Sequence, residues 1–289
     1  MKKIIKILSG ILIILSILLL VTWQSGSNGE LEVHFFDVAQ GDAILIRTSS
    51  NQNIVIDGGP DNSFITKLGQ TLPFYDKTID LMILTHPHDD HLFGLVEVLK
   101  RYKVKQILYT GVLHTTDAYL EWLEIIREKK IPLKIALAGQ KFVFNEVELN
   151  VIYPFESLTN QKVENLNDSS VVVQLIYQDI KMLFMGDLEV EGEEEILQQS
   201  NASLKSQILK SGHHGSDTSS SWEFLSAVEP NFAVIQVGED NKFGHPSRRI
   251  IKRLERLEVE IYRNDLMGDI VLITDGQGLW FKSSVTFSN

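Results

Sequence analysis

The chain has 289 residues, a formal net charge of −11 and no cysteine. That length is enough for one large domain or two small ones with a buried core. The absence of cysteine excludes disulfides and thiolate metal ligands, and the acidic charge opposes non-specific binding to nucleic acid, although it leaves room for a local basic patch.

The first 24 residues differ from the rest of the chain. Lysines at the start precede a nearly unbroken apolar run from Ile7 to Trp23. The run is about long enough to cross a bilayer as a helix, and the lysines favour a cytoplasmic N-terminus. A cleaved signal peptide is the alternative, although its apolar stretch is normally shorter. We expect a signal anchor or signal peptide over residues 1–24 and a linker over 25–30. The rest would lie outside the cytoplasmic membrane, anchored to its outer face or secreted after cleavage.

Strands and helices alternate in the next part of the chain. Runs rich in β-branched and aromatic residues, separated by turn residues, predict strands at 31–38, 42–48, 53–59, 78–86 and 105–111. Helical spacing of apolar residues, with capping signals before the second run, predicts helices at 92–104 and 115–131.

The second half of the chain has the same mixture of predicted strands and helices. It is rich in predicted strands at 141–154, 169–187, 203–216, 232–238 and 269–276, with helices at 220–230 and 247–258. The acidic run at 188–195 reads as the solvated start of a helix, where carboxylates complement the helix dipole. We therefore expect one β-rich α/β domain over residues 31–289.

Histidine and aspartate are concentrated where one predicted strand ends. The sequence THPHDDH places His86, His88, Asp90 and His91 within six positions of a chain that has eight histidines. His86 and His88 project from the same side of an extended backbone, because side chains alternate along a strand. Imidazole and carboxylate are the usual ligands of zinc and similar ions when cysteine is absent. The spacing predicts ligands for two adjacent divalent metal ions.

Other candidate residues follow later strands. His213 and His214 occur in LKSGHHGS, His245 occurs in NKFGHPS, and Asp187 ends the apolar run LFMGD. Each group lies in a short loop after a strand or turn, where polar side chains from different strands can meet.

These motifs resemble the metallo-β-lactamase superfamily, and their order is similar to one branch, the extracytoplasmic hydrolase domain of ComEC-type DNA-uptake channels. The matching segments over residues 31–275 are FFDVAQGDAILI, IDGG, NDSSVVVQL, MGDLE, LKSGHHGS, NKFGHPS and YRNDLMGDI. The resemblance implies a four-layer αββα sandwich. ComEC-type channels carry many membrane helices, whereas this sequence offers one candidate, so it looks like a free-standing form of that domain.

The resemblance also implies two metal sites that share a bridging carboxylate. His86 and His88 would bind one ion, Asp90 and His91 the other, and Asp187 would bridge them. His213 would complete the second site. Many superfamily members supply a further histidine before the bridging aspartate, and here Asp168, or less favourably Asn167, takes its place. His88 stands where many members of the branch carry aspartate, and this nitrogen-rich first site favours zinc over manganese.

Roles outside the metal ligands are implied in the same way. Asp90, His214 and His245 would be catalytic, the last two by facing the substrate. Lys210, Ser216 and Asn241 would contact the substrate, with surface or capping roles as the alternative for the first two. Asp57 would orient a metal ligand from behind, or else have only a structural role in a turn. The same two roles are open for Asp42.

A basic stripe follows the last histidine motif. Its members share one face of the predicted helix at 247–258 and are Arg248, Arg249, Lys252, Arg253 and Arg256. One interpretation is a local track for phosphates, and the other is an ordinary solvated helix face with interleaved glutamates.

Two adjacent cations can share a hydroxide, lower its pKa and stabilise developing negative charge. This favours a phosphodiesterase acting on single-stranded DNA, an oligonucleotide or a phosphorylated wall polymer. A thioesterase or lactamase of the same fold is the first alternative. A non-catalytic DNA-uptake or envelope accessory module is the second.

Overall fold

The computed structural model describes residues 9–13, 15–16 and 29–284. The strands are β1 (Leu31–Phe35), β2 (Ala43–Arg47), β3 (Asn53–Gly58), β4 (Thr78–Ile79), β5 (Leu81–Ile83), β6 (Lys103–Val104), β7 (Ile107–Tyr109), β8 (Leu133–Ile135), β9 (Lys141–Phe144), β10 (Val147–Tyr153), β11 (Val172–Tyr177), β12 (Ile180–Phe184), β13 (Ile208–Lys210), β14 (Phe232–Ile235), β15 (Glu260–Arg263), β16 (Ile270–Thr274) and β17 (Leu279–Ser283). The helices beyond residue 29 are α1 (Ser63–Thr71), α2 (Asp89–Arg101), α3 (Asp117–Lys129), α4 (Val190–Gln199), α5 (Trp222–Val228), α6 (Arg248–Arg256) and α7 (Asn264–Met267).

The strands form two large mixed sheets. The first has the order β17-β16-β1-β2-β3-β5-β7-β8 and the second the order β15-β14-β13-β12-β11-β10-β9, while β4 and β6 make a small separate pair. In the first sheet β3, β5, β7 and β8 run parallel. In the second, β12 to β15 run parallel. Each sheet therefore has several carboxyl strand ends at one edge.

Three apolar clusters separate four layers. One cluster lies between the sheets and takes alternate strand residues such as Ile54 and Ile56 of β3. Val55 points the other way, into a cluster that α1, α2 and α3 cover. A third cluster joins the second sheet to α4, α5 and α6. The alternation follows from the two-residue period of a strand, and it confirms the predicted α/β architecture of two packed sheets with outer helices.

Helix α2 starts earlier than the apolar spacing indicated, at Asp89 instead of residue 92. Asp90 and His91 therefore lie in the first turn of a helix and not on an extended strand end. The helix packs against β3 at two glycines, because a Cβ on Gly94 would lie 1.9 Å from the Gly58 carbonyl oxygen. This close approach fixes the position of the first turn relative to the sheet.

The acidic run at 188–195 is not simply a solvated face. Glu193 of α4 is fully buried, and its carboxylate accepts hydrogen bonds from the backbone N–H groups of Ser220 (2.5 Å) and Ser221 (2.8 Å). Burial raises the pKa of Glu193 to about 7. The carboxylate thus holds the segment that leads from the double histidine into α5.

The predicted anchor over residues 1–24 falls largely outside the described residues, as does most of the linker. Within the part of the chain that the structure describes, none of the helices has the length and apolarity needed to cross a bilayer.

Candidate metal centre

The candidate centre forms where strands of both sheets end at the same edge. Asp57 belongs to β3, His86 follows β5, Asp187 follows β12, and His214 follows β13. The carboxyl ends of parallel strands are where α/β proteins usually place their ligands. The predicted strand-end residues therefore meet because of the topology.

His86 and His88 lie on one side of the centre. His86 is buried, and its Nε2 atom lies 2.9 Å from Nδ1 of the half-buried His88. The other ring nitrogen of His86 lies 3.1 Å from the Thr85 hydroxyl. Burial lowers the pKa of His86 well below its usual range, and the neighbouring His91 adds to this. A neutral imidazole is the form that binds metal.

His91, Asp187 and His214 form the middle of the centre, and all three are buried. His91 Nε2 lies 3.2 Å from Asp187 Oδ2, and His214 Nε2 lies 3.3 Å from the same oxygen. Asp90 reaches in from the first turn of α2, with Oδ2 3.4 Å from His214 Nε2. One carboxylate oxygen of Asp187 therefore lies close to two imidazoles, and its bridging role stays a prediction.

The donor atoms at this centre form four overlapping groups, and two of them contain no residue from beneath the cluster. One atom each from His86, His91 and Asp187 lies within 4.8 Å of the others, and the same holds for Asp90, His91 and His214. The shared member, His91, is positioned from behind, because its Nδ1 atom lies 2.8 Å from Asp57 Oδ2. Asp57 is itself fixed by the Thr85 backbone N–H (2.8 Å) and hydroxyl (2.6 Å). The structure thus places Asp57 where an orienting partner is expected.

Unsatisfied buried atoms show that this cluster fits metal ions. Among the described residues, His91 Nε2, His214 Nε2 and Asp187 Oδ1 are buried and have no hydrogen-bond partner. Buried polar atoms normally have one. Imidazole nitrogens with carboxylate oxygens are a donor set that zinc and similar divalent ions prefer.

The charges of the cluster are also matched to a cation. Burial alone lowers the pKa of His214, but Asp187 and its neighbours raise it well above its usual range. Burial raises the pKa of Asp187, but His214 and His91 hold it well below its usual range. Without metal, protons on the imidazoles of His91 and His214 balance the negative charge of Asp187 and the neighbouring carboxylates. Metal binding must displace those protons, so metal affinity is expected to fall as the pH falls.

The two adjacent histidines have exchanged the places that the sequence suggested. His214 is the one whose Nε2 atom faces Asp90 and Asp187, and its Nδ1 atom lies 2.9 Å from the Gln236 carbonyl oxygen. His213 points elsewhere, with Nδ1 2.9 Å from Glu189 Oε1. Both residues have positive φ angles, 44° and 52°, and this tight turn sends the side chains in different directions. The geometry favours His214 as the ligand and His213 as the residue near the substrate.

Replacing each histidine separately tests this assignment. We expect His214→Ala to lower bound zinc to about half of the wild-type content, because a ligand of one of the two sites is lost, whereas His213→Ala keeps full content. Elemental analysis after dialysis against a zinc buffer measures this directly. The opposite pattern would restore the assignment that the sequence suggested.

Asp42 and Lys210 lie beneath the cluster. Both are buried, and Lys210 Nζ forms an ion pair with Asp42 Oδ2 and a 3.0 Å hydrogen bond to the Gly186 carbonyl oxygen. Asp42 Oδ1 lies 3.4 Å from His214 Nδ1. The predicted substrate contact for Lys210 is therefore not supported by its position, because burial removes its ammonium group from the surface. The sequence left the role of Asp42 open, and here it supports a ligand.

The other predicted substrate contacts also have structural partners. Ser216 is buried, and its hydroxyl lies 3.0 Å from that of Thr218. Asn241 organises its own loop: its amide group donates to the carbonyl oxygens of Gly238 (2.8 Å) and His245 (2.7 Å). Both side chains shape loops beside the centre.

Asp168 does not join the histidines. It lies in a 3-10 turn spanning Asn167–Ser169, and its carboxylate groups with Glu189 and Glu191 instead. Burial and Glu189 raise the pKa of Asp168. Asn167, the less favoured candidate, approaches His213 to 3.4 Å. The nearest polar group of this segment to His86 is the Ser170 hydroxyl, 3.5 Å from Nδ1.

One side of the centre opens to solvent. The side chains of Asp90 and His213 are 32% and 24% exposed, in contrast to the buried ligands. His245 is half-buried there, with its ring centroid 5.4 Å from that of His213. Glu189 was not among the predicted site residues; it holds His213 and also accepts a 2.8 Å hydrogen bond from the Thr218 hydroxyl. Its only signal was its place two residues after Asp187.

Comparison with known proteins defines the class. The family profile described as the metallo-beta-lactamase superfamily matches residues 36–239. The chain belongs to this superfamily, whose fold binds two metal ions and whose members are generally metal-dependent hydrolases.

The chain is also similar to two proteins named for competence. ComE operon protein 3 of Bacillus subtilis (strain 168) is 27% identical over 84% of this chain and 33% of its own length. Competence protein ComA of Neisseria gonorrhoeae is 28% identical over 83% of this chain and 32% of its own. The chain thus spans about a third of the length of these relatives.

A solved structure supports the fold independently. The metallo-beta-lactamase fold protein YhfI from Bacillus subtilis superposes with a TM-score of 0.54 at 10% identity, covering 87% of this chain and 100% of that chain. At such low identity the similarity shows the fold alone.

Proposed function

We propose that this protein is a metal-dependent phosphodiesterase that acts on nucleic acid or on a phosphorylated cell-envelope polymer. The observation that carries the proposal is the buried set of His91, Asp187 and His214 next to the solvent-exposed edges of His213 and Asp90. When bound, two divalent ions supply Lewis acidity and lower the pKa of a water molecule.

The predicted ligands divide between the two ions. If the ions bind, His86 and His88 would hold one, Asp90, His91 and His214 would hold the other, and the Asp187 carboxylate would lie between them. Zinc suits the nitrogen-rich set best, and manganese is the second choice. Asp57 and Asp42 keep the imidazoles of His91 and His214 in place from behind.

His213 and His245 contact the substrate. Their rings line the open side, and the Glu189 carboxylate, 2.9 Å from His213 Nδ1, holds the His213 ring there. A ring N–H of His213 can donate a hydrogen bond to a phosphate oxygen. His245 is positioned to pass a proton to the leaving oxygen, a role typical of histidine near neutral pH.

We also propose a location outside the cytoplasm for the domain that follows residue 30. An apolar run with flanking lysines in residues 1–24 and the competence-protein relatives support an exported domain held at the outer face of the cytoplasmic membrane. Protease digestion of intact and of permeabilised cells tests this, because an exported domain is cut in both.

Hydrolysis of bis(p-nitrophenyl) phosphate by the full-length chain tests the activity. We expect turnover with added Zn²⁺ or Mn²⁺, loss of at least about 100-fold in His91→Ala, where a ligand is removed, and little change in His34→Ala. His34 contacts Glu32 outside the centre and provides the matched control. Single-stranded DNA as a second substrate separates a nuclease from a wall enzyme. Turnover of a thioester or a β-lactam alone would contradict the proposal.

A further inference from the structure

A row of rings leads from the metal centre to the surface and ends at Phe243. His214 lies 6.1 Å from His213, His213 lies 5.4 Å from His245, and His245 lies 5.8 Å from Phe243, all between ring centroids. The last two rings are stacked, with an angle of 14° between their planes. Phe243 is nevertheless 69% exposed. A large apolar ring is therefore held in water beside the open side of the centre.

The loop that carries Phe243 is held by Asn241. The side-chain oxygen Oδ1 of Asn241 accepts hydrogen bonds from the backbone N–H groups of Phe243 (3.2 Å) and His245 (3.0 Å). The side-chain amide nitrogen of Asn241 donates to the carbonyl oxygens of Gly238 and His245. The exposed ring thus sits on an ordered loop. A pre-positioned ring loses little conformational entropy when a flat group stacks on it.

Helix α6 begins directly after this loop and carries a basic outer face. Its inner side chains, Ile250 and Leu254, are buried. The exposed cations are Arg248, Arg249, Lys252 and Arg256. Within the described part of the chain these four make no ion pair with a carboxylate, although Glu255 is on the same helix. Arg253 differs, since it donates to the Ser220 carbonyl oxygen.

This basic face adjoins the metal centre. The Ser247 backbone N–H donates to the Gly215 carbonyl oxygen (2.9 Å), which joins the start of α6 to the turn that holds His213 and His214. In a chain with a net charge of −11, unpaired cations at this place are complementary to an anionic polymer.

We propose that Phe243 and the basic face of α6 form a subsite for single-stranded nucleic acid, with a base stacked on Phe243 and phosphates along α6. This rests on the proposed function and names its substrate class. Single-strand binding sites combine a cationic track with aromatic platforms. A phosphorylated wall polymer would use the cations but has no flat base to stack.

Equilibrium binding separates the two contributions without hydrolysis. The full-length chain is titrated in EDTA with a fluorescent ten-residue oligothymidylate and with an abasic oligonucleotide of equal length. We expect Phe243→Ala to weaken binding of the oligothymidylate about 5- to 150-fold, the value of one stacked base. Binding of the abasic strand stays unchanged. Because Phe243 is mostly exposed, the thermal midpoint is expected to stay within about 2 °C.

Removing positive charges from α6 is expected to change the salt dependence of binding, unlike removing the Phe243 ring. Arg248→Gln/Arg249→Gln weakens binding of both strands and lowers the slope of log affinity against log salt by about 1.4, or 0.7 for each lost phosphate contact. The matched control is Lys103→Gln/Lys130→Gln, which also removes two positive charges. These exposed lysines line a different cavity near the C-terminal end of α2. The length of α2, about 18 Å, separates that end from the first turn beside the metal centre. The control keeps the wild-type slope.

Equal affinity of the wild type for both strands, with no effect of Phe243→Ala, would overturn the proposal and favour a wall polymer. Binding of poly(glycerol phosphate) as tight as that of the oligothymidylate would do the same. Either result leaves the phosphodiesterase proposal standing, because turnover of bis(p-nitrophenyl) phosphate needs no base. Conversely, tight stacking-dependent binding without any turnover would contradict only the catalytic proposal.

Discussion

Replacing Lys210 with Met is expected to lower the free energy of unfolding of the metal-free protein by about 3–5 kcal/mol. Lys210 and Asp42 are each about 1% exposed and form an ion pair. Methionine has a similar volume but no charge, so the Asp42 carboxylate remains buried and loses its main partner. Urea unfolding in the presence of a chelator measures the loss.

A surface lysine gives the matched control. Lys205 pairs with Glu229, but the two side chains are 65% and 58% exposed. Lys205→Met is expected to cost less than about 1 kcal/mol, as is usual for exposed pairs. If Lys210→Met costs no more than the control, Asp42 must be neutral or otherwise paired in the folded protein, and the buried ion pair would contribute little.

Replacing Asp187 with Asn is expected to remove the stabilisation that zinc gives to the protein. The Asp187 carboxylate lies within 3.3 Å of both His91 and His214, and an amide has no negative charge to share between two ions. For the wild type, zinc at 100 times its dissociation constant adds about 2.7 kcal/mol of stability. That raises the thermal midpoint by about 5–10 °C. For Asp187→Asn the expected shift is below about 2 °C, since the loss of a shared ligand weakens binding at least about 100-fold.

Asp217→Asn is the control for this measurement. Asp217 is exposed and follows the same histidine turn, yet it belongs to none of the ligand groups. Its variant should keep the zinc-dependent shift. A full shift in Asp187→Asn would mean that the ions, if bound, do not use the bridging position, and it would remove the geometric basis of the dinuclear assignment.

The sequence predicted which side chains meet at this centre where local spacing was enough. His86 and His88 alternate at a strand end, and Asp187 ends an apolar run, so both patterns follow from the period of a strand. The resemblance supplied the bridging position. The start of α2 was placed three residues late, because Asp89, Asp90 and His91 are polar or charged and add nothing to an apolar period.

Other features depend on contacts that no local pattern encodes. His213 and His214 are neighbours in sequence, and only the positive φ angles of the turn decide which ring faces Asp187. Lys210 resembles a surface lysine until Asp42, 168 positions earlier, is placed beside it. Glu193 looked solvated among other acids, but its position in α4 aims it at the backbone before α5.

The ion pair between Lys210 and Asp42 joins the second sheet to the segment just before β2 of the first sheet. The Gln236 amide, just after β14, likewise donates hydrogen bonds to the carbonyl oxygens of Phe36 (3.0 Å) and Ala43 (3.1 Å). The metal centre is therefore divided between two halves of the chain, and neither half holds a complete set of ligands. Tight binding must wait until both sheets have docked. A partly folded chain, or one whose two halves have separated, lacks a complete set of ligands, so full metal loading identifies molecules in which both sheets are docked.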